Sequence, residues 1–251
     1  MTSASEFLEY SPTEPLVLGS TEVHVWRGWL DLPASRIQHL KQTLAVEERT
    51  RASRFRFSTD RNRFIAARGT LRAILGRYLS KDPHTLRFAY NGYGKPVLIE
   101  ELENDPIQFN VTHSRNLALY AFTRQGEIGV DVEEITAEAK DYENLAQRFF
   151  SAAEVRELRS VPVEERQAAF LNGWTRKEAY IKARGLGLSL DLRQFDVSLT
   201  PGVPAALLAN REAGQEHTLW SLYELAPGPG FTAALAVKGS IEMLRCWHWP
   251  A

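Results

Sequence analysis

The stretch from Ile107 to Ile135 constrains the fold most. It reads as three short strands, Ile107–Thr112, Leu117–Thr123 and Glu127–Ile135, separated by the turn sequences Ser114-Arg115-Asn116 and Arg124-Gln125-Gly126. Connections this short join antiparallel neighbours, so the pattern predicts a meander. Upstream, Glu22–Asp31 alternates as a strand and Pro33 opens a helical stretch with Ile37, Leu40 and Leu44 on one face. A longer helix is predicted over Ser58–Ser80. Its apolar stripe is Phe64, Ala67, Leu71, Ile74 and Tyr78, with Arg61, Arg68 and Arg72 together on another face. Leu86–Tyr90 reads as a short strand entering the turn-rich loop Asn91-Gly92-Tyr93-Gly94-Lys95-Pro96. Downstream come a helix ending near Phe149 and Phe150, a second holding Val155 and Leu158, and a long one from about Glu164 to Arg184. Strands at His217–Leu225, Phe231–Val237 and Ile241–Trp249 follow. Each half combines helices with a small antiparallel sheet, which predicts an α+β fold of two lobes, residues 1–125 and 126–251.

Charge narrows the function. The chain carries 30 Lys+Arg against 31 Asp+Glu, but the balance is not uniform. Arg36–Arg77 holds eleven basic and three acidic residues, whereas Glu127–Glu165 holds eleven acidic and four basic ones. The split excludes a uniformly basic or acidic binding protein and suits either solvated helix faces or a site handling a polyanion and a cation together. The single cysteine, Cys246, excludes an internal disulfide framework or a Cys-rich zinc site and fits a reducing compartment. No apolar run approaches the ~18–20 residues of a membrane span. The start, MTSASEFLEYSPTEP, lacks the basic and apolar segments of a signal peptide, so a soluble, cytoplasmic protein without membrane contact is expected.

Three motifs carry candidate chemistry. In Ile128-Gly129-Val130-Asp131-Val132-Glu133-Glu134, strand alternation places Gly129, Asp131 and Glu133 on one face. Two neighbouring carboxylates suit a hard divalent cation such as Mg²⁺; an edge strand with its polar face in water fits the spacing equally. In Trp174-Thr175-Arg176-Lys177-Glu178-Ala179-Tyr180-Ile181-Lys182, Glu178 and Lys182 stand at i, i+4, which also suits a surface ion pair. Gly185-Leu186-Gly187-Leu188 supplies a glycine stop. His113, in Asn110-Val111-Thr112-His113-Ser114, is either a hydrogen-bonded turn residue or a phosphate contact.

Together, YGKP, FNVTHS, IGVDVE and WTRKEAYIKARGLGLSL, in that order from about Phe55 to Phe195, resemble the Sfp-type 4'-phosphopantetheinyl transferases. Length and the two lobes resemble the large, monomeric members with pseudo-twofold symmetry. The resemblance implies transfer of the phosphopantetheine arm of coenzyme A to a serine of an apo acyl or peptidyl carrier protein, releasing adenosine 3',5'-bisphosphate. It implies that residues 1–125 hold the nucleotide and that residues 126–251 carry the metal and the catalytic helix. Asp131, Glu133 and Glu178 match the family's Mg²⁺ positions. Glu178 also matches the base for the serine, and Lys182 the lysine that neutralises phosphate charge. His113 and Arg51 match contacts to the 3'-phosphate, with Asn110 and Thr112 beside them. Tyr90, Asn91, Gly92, Tyr93, Gly94, Lys95 and Pro96 match the loop that lines adenine and reaches the phosphates. Thr112 stands where many relatives have serine, and Glu48 where some have a basic residue, leaving Arg49 and Arg51 as candidates there. Leu145, Phe149 and Phe150 either contribute to carrier docking or pack a core. Two alternatives remain open on the residues: a nucleic-acid-binding protein using the Arg36–Arg77 block, and a catalytically silent coenzyme A-binding relative.

Overall fold

The structure is a computed structural model that describes residues 5–9, 16–99, 107–136, 141–187, 190–212 and 214–250. Most of the N-terminal fifteen residues, and Leu188 of the glycine stop, lie outside the described residues. Two short strands, β1 (Ser5–Glu6) and β2 (Leu8–Glu9), precede β3 (Glu22–Trp29) and helices α1 (Ala34–Thr43), α2 (Val46–Ser53) and α3 (Ser58–Leu79). The hairpin of β4 (Phe88–Tyr90) and β5 (Pro96–Leu98) follows, then β6 (Gln108–Ser114), β7 (Leu117–Thr123) and β8 (Ile128–Glu134). Helices α4 (Tyr142–Phe149), α5 (Ala152–Ser160) and α6 (Arg166–Arg184) lead to β9 (Phe195–Val197), β10 (Leu207–Asn210), β11 (Trp220–Ala226), β12 (Phe231–Lys238) and β13 (Met243–His248).

Two sheets stack between two long helices. One sheet has the order β2-β13-β3-β7-β6 and the other β1-β11-β12-β8. Between them lies a layer in which Val23, Val25 and Leu119 of the first meet Val130, Val132 and Leu235 of the second, all fully or almost fully buried. On the outer face of the first sheet, α1 and α3 bury Leu40, Ile65, Leu71 and Ile74 against Trp26, Tyr120 and Phe122. On the outer face of the second, α6 buries Ala179, Tyr180 and Ile181 against Trp220, Leu222, Ala234 and Ala236. The α+β architecture of two similar layers follows from this arrangement, but neither sheet is purely antiparallel as expected: β13 runs parallel to β2 and β3, and β1 parallel to β11. Each large side chain buried this way stabilises the fold by ~1.5–3 kcal/mol.

The meander is only half formed. β6 and β7 pair antiparallel, but β8 leaves their sheet and pairs with β12, Asp131 opposite Ala234. The reason lies in the faces: Ile128, Val130 and Val132 must be covered by the inter-sheet layer while Asp131 and Glu133 turn to α6, and only the second sheet offers both. β8 still runs beside β6. The Asn110 carboxamide oxygen accepts from the Val130 N–H at 2.9 Å, and the Ser114 hydroxyl accepts from the Glu134 N–H at 3.2 Å. Side chains four residues apart on β6 thus replace a backbone ladder and seam the two sheets together. The terminal strands cross the midpoint of the chain: β13 inserts between β2 and β3, and β1 pairs with β11.

Two local readings change and one left open is decided. The strand expected from His217 begins at Trp220, because Gly214–Leu219 forms a 3₁₀ turn. Arg72 does not join Arg61 in solvent; it is 1% exposed and bound to Glu48. Phe150 is a core residue stacked on Phe170 at 5.1 Å, with Phe149 and Leu145 packed beside it.

Candidate active site

Alternation along β8 sends Gly129, Asp131 and Glu133 toward α6. The missing side chain at 129 sets how near the helix comes: a Cβ there would lie 2.1 Å from the Ala179 carbonyl oxygen and 2.3 Å from the Ala183 nitrogen. The α6 backbone therefore rests on β8. This contact brings Lys182 onto Asp131 and Glu178 into the field of both Asp131 and Glu133.

The i, i+4 surface pair suggested by the spacing is not what forms. Among the described residues the ion pair of Lys182 is with Asp131, Nζ to Oδ1 at 2.5 Å, and the ammonium also donates to Thr112 Oγ1 at 2.9 Å. Thr112 in turn donates to Asp131 Oδ1 at 3.1 Å. A carboxylate 3% exposed, in a low-dielectric setting, attracts the ammonium more strongly than the half-buried Glu178 does. The second oxygen, Asp131 Oδ2, is buried with no hydrogen-bond partner. Burial pushes the Asp131 carboxyl above the usual range, against the pull of Lys182 and with added repulsion from Glu178. Glu178 is raised likewise, by burial and by Glu133, with Lys182 opposing.

Among the described residues no three acidic, histidine or cysteine side chains converge as a ready-made metal cage; Lys182 holds Asp131 instead. The donor set nevertheless fits a hard cation: oxygen only, mutually repelling carboxylates, and a buried Asp131 oxygen that nothing in the protein satisfies.

Two cavities flank this centre. A groove of about 290 Å³ runs between Tyr93, Gly94 and Lys95 on one side and Glu178, Lys182 and Gly185 on the other. A larger cavity of about 680 Å³ lies between α3 and the β4–β5 hairpin; Arg51, Arg63, Arg68, Tyr90, His113 and Arg115 line it. His113 lies within β6 rather than on a turn, and partial burial, Lys182 and Arg63 hold its imidazole below the usual range.

The loop residues divide. Tyr90 walls the large cavity, Gly94 and Pro96 border both, and Gly92 faces open space. Asn91 is structural: its carboxamide oxygen accepts from the Tyr93 and Lys95 N–H groups, and its Nδ2 donates to the Gly185 carbonyl at 3.1 Å. Lys95 points away from the large cavity. Its ammonium donates to the carbonyls of Ile128 and Lys182, both at 2.9 Å, and burial pushes it down to about 8. It latches the hairpin to β8 and to the carbonyl end of α6, where cations are favoured. Asn110 and Thr112 are likewise spent on β8, through Val130 and Asp131. Sequence reasoning missed Arg63, Arg68 and Arg115 as lining residues; the density of arginine on α3 signalled the first two, and Arg115, in the turn between β6 and β7, carried no signal. It also placed Gly129 on the carboxylate face without seeing that a glycine there admits the helix.

Residues 29–125 match the N-terminal region of 4'-phosphopantetheinyl transferases, and residues 127–236 match the 4'-phosphopantetheinyl transferase superfamily. The chain is 43% identical to the 4'-phosphopantetheinyl transferase HetI of a Nostoc species, over 93% of this chain and 95% of that protein. The chain belongs to the 4'-phosphopantetheinyl transferase family. It is 33% identical to the transferase psf-1 of Bacillus pumilus, over 84% of this chain and 88% of the other. With the transferase Sfp of Bacillus subtilis it shares 31% identity, over 68% of this chain and 74% of Sfp. As a phosphopantetheinyl transferase it is an enzyme of a family that uses coenzyme A and acts on carrier proteins. No helix among its described residues is long and apolar enough to cross a membrane.

Proposed function

We propose that this transferase moves the 4'-phosphopantetheine arm of coenzyme A to the serine hydroxyl of an apo acyl or peptidyl carrier protein, with Mg²⁺, releasing adenosine 3',5'-bisphosphate. The observation that carries the reading is the meeting of Asp131, Glu178 and Lys182 beside the groove that Glu178 and Lys182 line. Residues 1–125 form the nucleotide side, with Arg51, His113, Tyr90, Gly94 and Pro96 around the ligand. Residues 126–251 carry the catalytic helix.

The serine oxygen attacks the phosphorus that bears pantetheine; its O–P bond forms as the bridging P–O bond to the adenylate breaks. Glu178, half-buried and raised by burial, takes the serine proton, a role worth ~10²–10⁴-fold. Lys182 is already beside the reacting centre and supplies positive charge to the phosphate oxygens as it leaves Asp131. Asp131, Glu133 and Glu178 would hold Mg²⁺, which when bound neutralises the diphosphate. The enzyme acts as a cytoplasmic monomer in this reading.

Purified protein mixed with coenzyme A, Mg²⁺ and an apo carrier should add the phosphopantetheine mass to the carrier serine. No mass shift across several carriers would sink the proposal. Glu178→Gln and Asp131→Ala should abolish transfer while the circular dichroism spectrum is retained. A nucleic-acid-binding protein using the Arg36–Arg77 block would instead bind DNA or RNA with a steep salt dependence that survives Asp131→Ala. A silent coenzyme A-binding relative would bind the cofactor and transfer nothing to any carrier.

A further inference from the structure

Four arginines line the large cavity, and their partners separate them. Arg63 is bound side-on to Asp31, both contacts at 2.7 Å, and Arg115 pairs with Glu134 at 3.0 Å. Arg51 lies over the Phe64 ring at 5.3 Å with no carboxylate partner among the described residues. Arg68 is held on several sides. Its Nε donates to Glu48, its Nη2 donates to the Tyr90 hydroxyl at 2.6 Å, and its guanidinium lies 4.3 Å from the Phe88 ring centre.

Glu48 is an unusual anchor. It is 6% exposed, on α2, and it accepts from Arg68, from Arg72 Nε at 2.7 Å and from the Ala45 N–H at 2.9 Å. Burial would push its carboxyl up, but Arg68 and Arg72 outweigh that and hold it below the usual range. Arg72 is then spent on the Pro83 and Leu86 carbonyls, 2.8 and 3.0 Å away, which fixes the approach to β4. Arg68 is the member of this trio that reaches the cavity.

A guanidinium whose Nε is spent on a buried carboxylate shared with Arg72, and whose Nη2 is spent on the Tyr90 hydroxyl, makes a poor clamp for a phosphate. What remains is a flat, weakly hydrated fork backed by an aromatic ring, which is suited to a planar heteroaromatic base. We propose that Arg68 recognises the base of the nucleotide, that Glu48 is the positioning residue that fixes it there with Tyr90, and that Arg51 is left for phosphate. This rests on reading the cavity as the nucleotide side of the coenzyme A site.

The test crosses protein variants with ligand truncation. Calorimetry would compare adenosine 3',5'-bisphosphate with abasic ribose 3,5-bisphosphate on the wild-type chain and on Arg68→Lys, Glu48→Gln and Arg51→Met. Arg68→Lys keeps the charge and loses the plane; with Glu48→Gln it should cost roughly 10-fold in affinity for the nucleotide and leave the abasic ligand within about two-fold. Arg51→Met should weaken both ligands alike. In transfer assays Glu48→Gln should raise KM for coenzyme A and leave kcat unchanged, a split that general loss of folding would not produce. Equal weakening of both ligands by Arg68→Lys, or no effect on either, overturns the proposal. Failure of the wild-type chain to bind the nucleotide at all overturns the assignment of the cavity and this proposal with it.

Discussion

The Lys182 ammonium lies 2.5 Å from Asp131 Oδ1 and shares Thr112 Oγ1 with it, so the protein supplies its own counter-charge to the most buried acid of the site. A divalent cation must compete with that ammonium. Lys182→Met should therefore lower stability in metal-free buffer by about 2 kcal/mol, as a buried carboxylate loses its partner. Added Mn²⁺ should restore the melting temperature, and by more than it raises that of the wild type. Calorimetric melts with and without Mn²⁺ check this; equal metal-induced shifts in the two proteins contradict it.

Gly129 sets the spacing of β8 and α6. In Gly129→Ala the added carbon falls on backbone atoms at 2.1 and 2.3 Å, which cannot swing aside as a side chain would. The helix must lift, at a cost of about 1–3 kcal/mol. Displaced by even ~1 Å, Glu178 and Lys182 should lose about 10²-fold in transfer rate. Urea unfolding and steady-state kinetics on the same preparation measure both, and near-wild-type kinetics would show that the close approach does not position the site.

Lys177, next to Glu178 in sequence, does something different. It is fully buried, 2.8 Å from Glu154 Oε2, and donates to the Leu192 and Phe195 carbonyls. Glu154 also accepts from the Val197 N–H at 2.8 Å. Lys177→Met should cost about 3–5 kcal/mol by stranding Glu154, and adding Glu154→Gln should recover a large part of it. Equilibrium urea denaturation of the two variants tests the coupling.

Acid should weaken the first sheet through His24. Trp26 Nε1 donates to the Tyr78 hydroxyl at 2.9 Å, and that hydroxyl lies 2.7 Å from His24 Nδ1, whose other nitrogen faces Glu22 at 3.1 Å. The network is satisfied by a neutral ring, and burial holds the imidazole down to about 4. The unfolded chain takes its proton near 6.5, so this contribution is complete above that pH and is lost as pH falls from about 6.5 to about 4, roughly 3 kcal/mol in all. His24→Gln, which keeps a donor and an acceptor, should flatten that part of the stability profile. An imidazole resonance titrating near 6.5 would contradict the assignment.

What was legible in the sequence is what repeats over short distances. The periodicity of α3 and α6 and the alternation of β8 are local, and so is the pairing of Asp131 with Glu133 on one face. The strand partner of β8 was not legible, because a turn such as Arg124-Gln125-Gly126 serves a hairpin or a change of sheet equally well. Nor was the fate of Arg72, since helical spacing puts it beside Arg61 and only tertiary contact brings Glu48 from α2. Lys182 turned to Asp131 rather than Glu178 for the same reason: burial, not spacing, decides which charge wins.

The exchange of end strands makes the molecule a clasp. A chain cut after residue 125 would leave the first sheet without β13 between β2 and β3, and the second without β1 beside β11. Neither piece would own a complete sheet, so each should be unfolded alone and fold only when mixed with the other. The same crossing ties the two sheets together across the joint at residues 124–126, so they should unfold in one cooperative transition rather than one after the other.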